Sequence, residues 1–118
     1  FEDDFLDELF VVLKDMGFKT ITYMPSRNTR EQILRLKDLC QKFNMFEISG
    51  EDINSPRQSF ICVAQRDPLF ANLVDSTWAL IGHEQAATKN LDDAFFSAKT
   101  IAKYPVLADR IQAYKKFL

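Results

Sequence analysis

The sequence predicts an α/β fold, helix-rich and with two parallel strands. Three observations carry this reading. A β-branched and aromatic run, Phe18–Met24 (FKTITYM), and a short apolar run, Met45–Ser49, have the length and composition of strands. Between them, Arg30–Phe43 has the three- and four-residue apolar spacing of an amphipathic helix. From Asp67 onward the patterns are helical. Strand, helix and strand in that order make a right-handed βαβ unit.

The elements follow in order. Phe5, Leu6, Leu9, Phe10, Leu13 and Met16 mark one face of a first helix, Phe5–Met16. Acids crowd its first turns, at the positive end of its dipole. Gly17 is placed to end it in the left-handed conformation. Pro25 closes the first strand. Thr29 and Gln32 have capping-box spacing at the start of the second helix. That helix sets Ile33, Leu36, Cys40 and Phe43 on one face, with Leu39 beside them, and Asn44 serves as its C-cap. Phe60–Ala64 (FICVA) is a candidate third strand, although so short a run also suits a helix. Asp67 and Pro68, an N-cap and a first-turn proline, open a helix through Leu69, Phe70, Leu73, Val74, Trp78 and Ile81. Gly82 interrupts or ends it. Lys89–Phe96 reads as a connection, Ser97–Lys103 as a short helix stopped before Pro105. A last helix, Val106–Phe117, carries Ile111, Tyr114 and Phe117 on one side. The organisation expected is an α/β part over residues 1–59 and a helical extension packed on it over 60–118.

Composition narrows the function. At 118 residues, 47% hydrophobic and 27% charged, the chain can bury an ordinary globular core. Eleven phenylalanines promise a dense aromatic core or apolar surface for a partner. A net charge of −2 without a basic stripe argues against a general nucleic-acid binder and gives no support for binding an anionic membrane. No apolar run approaches the roughly 20 residues that span a bilayer. The acidic start, FEDDFLDELF, is unlike a signal peptide. Cys40 and Cys62 lack metal-ligand spacing and read as reduced core thiols, so a cytoplasmic location is expected. Two parallel strands are too few to stand alone. The missing strands are expected from another copy, from a third strand, or from a preceding N-terminal part. The absence of an initiator methionine at Phe1 favours the last of these.

The residues with chemical potential cluster after the strands. Met45–Phe60 (MFEISGEDINSPRQSF) is a strand that stops at Ser49-Gly50 and delivers Glu51, Asp52 and Asn54. Ligands and catalytic groups collect at the C-terminal ends of parallel strands. The two acids are then a metal-binding or acid/base pair, or a solvated turn in which Asp52 caps the loop before Ser55-Pro56. Arg27 and Arg30, in Ser26–Arg30, lie at a strand-to-helix turn. They suit a phosphate at a helix N-terminus, with Arg57 joining from the next strand end, or the turn is simple capping. His83 and Glu84 invite metal or general-base chemistry, but Ala87 rules out HExxH. The plainer reading is a surface histidine near a helix end. Trp78, with Phe70 and Leu73, reads as core or interface, and Phe95-Phe96 as an exposed contact surface.

Over Gly17–Pro56 the chain resembles the last strand–helix–strand of the PHP (polymerase and histidinol phosphatase) domain family, metal-dependent phosphoesterases with a distorted seven-stranded, TIM-like barrel. Gly50-Glu51-Asp52-Ile53-Asn54 stands where the family has Gly-Ser-Asp-x-His, with Gly50 and Asp52 identical. The resemblance implies the C-terminal βαβ piece of such a barrel, followed by a helical extension. It implies that Asp52 is a metal ligand, with Glu51 and Asn54 weaker candidates. Asn54 replaces an imidazole, and an amide oxygen is a poor substitute on zinc or iron. The family's N-terminal His-x-His has no counterpart, and the context of His83 matches none of its motifs. The expectation is therefore a fragment of a metal-dependent hydrolase, inactive alone. Zinc, manganese or iron would be held in the intact parent and no cofactor in the isolated chain, the chief partner being the missing N-terminal part. The alternative is a non-catalytic α/β interaction module that completes its sheet by oligomerising. A third reading is a nucleotide- or phosphate-binding domain using Arg27, Arg30 and Arg57.

Overall fold

The computed structural model describes residues 5–51, 55–57 and 63–116. Its elements run α1 (Leu6–Asp15), β1 (Thr20–Tyr23), α2 (Arg30–Lys42), β2 (Phe46–Ser49), α3 (Ala71–Lys89), α4 (Ala98–Lys103) and α5 (Leu107–Lys115). Short 3-10 turns cover Val63–Arg66, Pro68–Phe70 and Leu91–Asp93. The fold is helix-rich α/β with a two-stranded parallel sheet among the described residues. Thr20 stands opposite Phe46 and Tyr23 opposite Ser49. By backbone packing the chain forms two compact units, Phe1–Phe70 and Ala71–Leu118. The division falls after Phe70, where the sequence reading sets it after residue 59.

In the first unit both helix ends are chemically specified. After α1, Gly17 sits at φ 88°, its N–H bonding Lys14 O and the Phe18 N–H bonding Leu13 O. This pair of bonds is a Schellman cap, in which glycine accepts the left-handed geometry at no steric cost. Asn44 does the same after α2 at φ 55°, with bonds from Asn44 N–H to Gln41 O and from Met45 N–H to Cys40 O. At the other end of α2 the capping box is complete. Thr29 Oγ1 accepts from Gln32 N–H, and Gln32 Oε1 accepts from Thr29 N–H. The buried face of α2 is Ile33, Leu36, Leu39 and Cys40, while Phe43 is half-buried and stacks on Phe10 of α1 at 5.7 Å. Lys14 Nζ donates to Phe43 O at 3.0 Å, laying a cation on the negative end of α2.

α1 buries less than its spacing suggests. Leu6 and Phe10 are buried, whereas Phe5 and Met16, expected on the same face, are exposed. The apolar positions of α1 span an arc wider than the contact that α2 offers. The candidate strand Phe60–Ala64 is also corrected where it can be seen. Phe60, Ile61 and Cys62 lie outside the described residues, and Val63 and Ala64 open a 3-10 turn. That turn is tied to the strand end by Ser49 Oγ, which donates to Gln65 Oε1 at 3.1 Å. Lys37 Nζ of α2 donates to Leu69 O at 2.9 Å.

At the end of the first unit Asp67 caps a 3-10 turn rather than the long helix, its Oδ1 accepting from Leu69 N–H at 2.9 Å. α3 then runs unbroken through Gly82. Leu73, Ser76, Ala79, Gly82 and Ala86 form its buried stripe, and α5 packs along α3. Small side chains let neighbouring elements approach closely, so Gly82 is a packing residue and not a stop. Trp78 is 45% exposed and is not core. Phe95 is the opposite surprise, since it is buried and stacks edge-on against Phe96 at 4.9 Å and Tyr114 at 5.2 Å. The buried Arg110 lays its guanidinium over both phenylalanine rings and donates through Nε to Tyr104 O at 3.0 Å. Burial lowers its pKa, yet the cation is held by ring faces and carbonyls. Tyr114 OH donates to Asp93 O and lies 3.0 Å from Thr100 Oγ1, which closes the core with satisfied polar groups. No helix among the described residues is long and apolar enough to cross a membrane.

Candidate functional site

The site of interest is the C-terminal edge of the strand pair. Pairing continues one residue past the strands, with Gly50 N–H donating to Tyr23 O at 2.9 Å. A Cβ at position 50 would run into Thr22 Cγ2, so glycine leaves room for that methyl at the strand exits. The chain then turns Glu51 back over the neighbouring exit. Glu51 Oε1 accepts from the Ser26 N–H at 2.7 Å, and Oε2 accepts from Ser26 Oγ at 2.5 Å. Both carboxylate oxygens thus staple the β2 exit to the β1–α2 turn. These are charge-assisted bonds, the stronger kind.

The turn is held by its own hydrogen bonds. Arg27 N–H donates to Met24 O at 3.2 Å and Asn28 Nδ2 to the same carbonyl at 2.8 Å. Beside it opens a cleft of about 370 Å³. Pro25, Asn28 and Arg30 line it from the turn and the start of α2, and Asp67 and Phe70 from the returning segment. Its wall is mixed, and among the described residues it carries the Arg30 cation and the Asp67 carboxylate, whose Oδ1 already serves as a cap. Of the three arginines expected to gather, Arg30 lines the cleft. Arg27 is exposed on the turn, and Arg57 is exposed, its N–H donating to Ser55 Oγ at 3.3 Å.

Asp52 and Asn54 lie outside the described residues. Among the described residues, no three of His, Cys, Asp and Glu gather as a metal ion needs. Glu51, the one described member of the expected ligand set, commits its two oxygens to Ser26.

His83 and Glu84 belong to the second unit. Because α3 continues to Lys89, His83 is interior to a helix and not near its end. It is half-buried, and its Nδ1 accepts from Phe95 N–H at 2.9 Å. An accepting Nδ1 carries no proton, so the ring acts as a structural acceptor that fixes the Phe95 turn. Glu84 is exposed on α3. Sequence reasoning missed Ser26 as the partner of Glu51 and Asp67 as a cleft residue. A serine directly after the proline that closes a strand was the available signal for the first. The second had none, since its place depends on a long-range return of the chain.

No family model, no curated protein and no solved structure matches this chain.

Proposed function

We propose that this chain supplies part of a larger parallel α/β sheet, and that the completed assembly is a cytoplasmic, metal-dependent hydrolase of the phosphoesterase type, similar to the PHP family. Asp52 would contribute one metal ligand, and Arg30, with Arg27 and Arg57, would face the anionic substrate. The observation behind this reading is the pair of four-residue parallel strands, whose exits are fastened together beside a cleft bearing Arg30. Parallel strands are ordinarily buried within larger sheets. α1 also packs beside α2, as helices of successive strand–helix units do. The test is metal content and hydrolysis of p-nitrophenyl phosphate by the native polypeptide carrying this sequence. Bound zinc, manganese or iron is expected, and Asp52→Ala should lower activity by about 100-fold or more, since loss of an outer-shell partner alone costs about 10–100-fold. Full activity in Asp52→Ala, or a native polypeptide without metal or activity, overturns the proposal.

A second reading, a non-catalytic module completed by oligomerisation, is favoured by Glu51, which serves as a staple to Ser26. It expects a mass at a multiple of 13.7 kDa by light scattering. Thr22→Pro, which removes a donor from the strand edge, should reduce that mass to the monomer value. A monomer at every concentration tested rules it out.

A further inference from the structure

We propose that the outer face of α1 is a docking surface for a basic amphipathic helix. Phe5, Leu9, Val12 and Met16 follow one another at steps of four, three and four residues. That is the alternation of the a and d positions of a heptad seam. Phe5 is 53% exposed, Val12 52% and Met16 68%. The buried side of α1, Leu6 and Phe10, is the adjacent stripe and already packs within the first unit. Large apolar side chains aligned in this way on a helix mark an interaction surface more often than scattered ones do.

Charge selects the occupant. With Phe5 and Val12 at d and Leu9 and Met16 at a, the flanking g positions are Glu8 and Asp15. Both carboxylates are exposed, and among the described residues they make no hydrogen bond or ion pair. The one base of α1, Lys14, donates to Phe43 O, and Arg35 of α2 pairs with Asp7 rather than with Glu8 or Asp15. The seam therefore presents two like charges two turns apart, about 10 Å along the axis. A partner helix gains most by setting Lys or Arg at a seven-residue spacing against them. Antiparallel self-pairing would set these acids against one another, and parallel self-pairing would set Glu8 beside the apolar Leu13, so a second copy offers the acids no base. The inference stands whether or not the sheet is completed as proposed above.

The test uses two synthetic peptides of about three heptads with the same Leu/Ile seam, one flanked by Lys and one by Glu. Fluorescence anisotropy against the whole chain should show saturable binding of the Lys peptide and binding of the Glu peptide weaker by about tenfold or more. Val12→Asp, at an exposed position, should abolish binding with the helical circular dichroism unchanged. Glu8→Lys with Asp15→Lys should invert the preference. Equal binding of both peptides, binding of neither, or a preference blind to the charge reversal overturns the proposal. So does a dimer of the chain that Val12→Asp dissociates, which would assign the face to a second copy.

Discussion

Cys40 shows how far a single residue is defined by its surroundings. Its thiol lies on the buried face of α2, and its pKa is pushed up to about 12, first by burial and then by the carboxylate of Glu47. A thiol raised in the fold keeps its proton where the unfolded chain has lost its own. Its contribution is therefore intact below the ordinary value of 9.0 and is lost as pH climbs from there toward about 12. Urea unfolding of a Cys62→Ser chain, with Cys40 as its one thiol, should show a larger loss of stability between about pH 8 and pH 10.5 than the same chain with Cys40→Ala. Parallel loss in both would contradict the assignment. Folded at about pH 8, the thiol should also resist Ellman's reagent until denaturant is added. Gly50 is decided at the same scale. Gly50→Ala drives a methyl against Thr22 Cγ2 and should cost about 1–3 kcal/mol, as overpacking does. Thr22→Ala in the same chain should restore most of that loss, and a double-mutant cycle without coupling would refute the contact.

At the scale of the element, caps were more legible than lengths. The Thr29–Gln32 box and the Gly17 and Asn44 ends could be read from spacing, because each is a local hydrogen-bond problem with a local solution. Gly17→Ala should cost about 1 kcal/mol by chemical denaturation, whereas Asn44→Gly should be neutral or stabilising, since asparagine already bears some left-handed strain. If both substitutions destabilise equally, the left-handed assignment at Asn44 is wrong. The extent of α3 was not legible. Gly82 looks like a stop in isolation, because glycine loses about 1 kcal/mol to alanine within a helix. The structure places it in the buried stripe of α3, where a small side chain lets neighbouring elements approach closely. Phe95 was misread for a related reason. Two adjacent phenylalanines in a loop suggest exposure, but the turn folds them over Arg110 and Tyr114.

At the scale of the molecule, each unit closes around contacts that no window of sequence contains. In the second unit Tyr114 reaches Asp93 O and Thr100, joining residues from three separate segments. Tyr114→Phe leaves those groups without their partner and should cost about 1–3 kcal/mol. The loss of hydrogen-exchange protection should be seen in α3, α4 and α5, and unchanged protection there would show the hydroxyl to be idle. The sequence by itself determined the helix-rich α/β class, the parallel strand pair, the caps of α1 and α2 and the position of Glu51 after β2. Periodicity, propensity and capping act over a few residues, so they can be read locally. Only the tertiary structure decided that Glu51 fastens to Ser26, that Arg30 and Asp67 share a cleft, that His83 serves Phe95, and that α1 keeps an apolar stripe exposed. These depend on which distant segment returns to fill the space beside each side chain, and that follows from packing and the closing of long loops rather than from any local pattern.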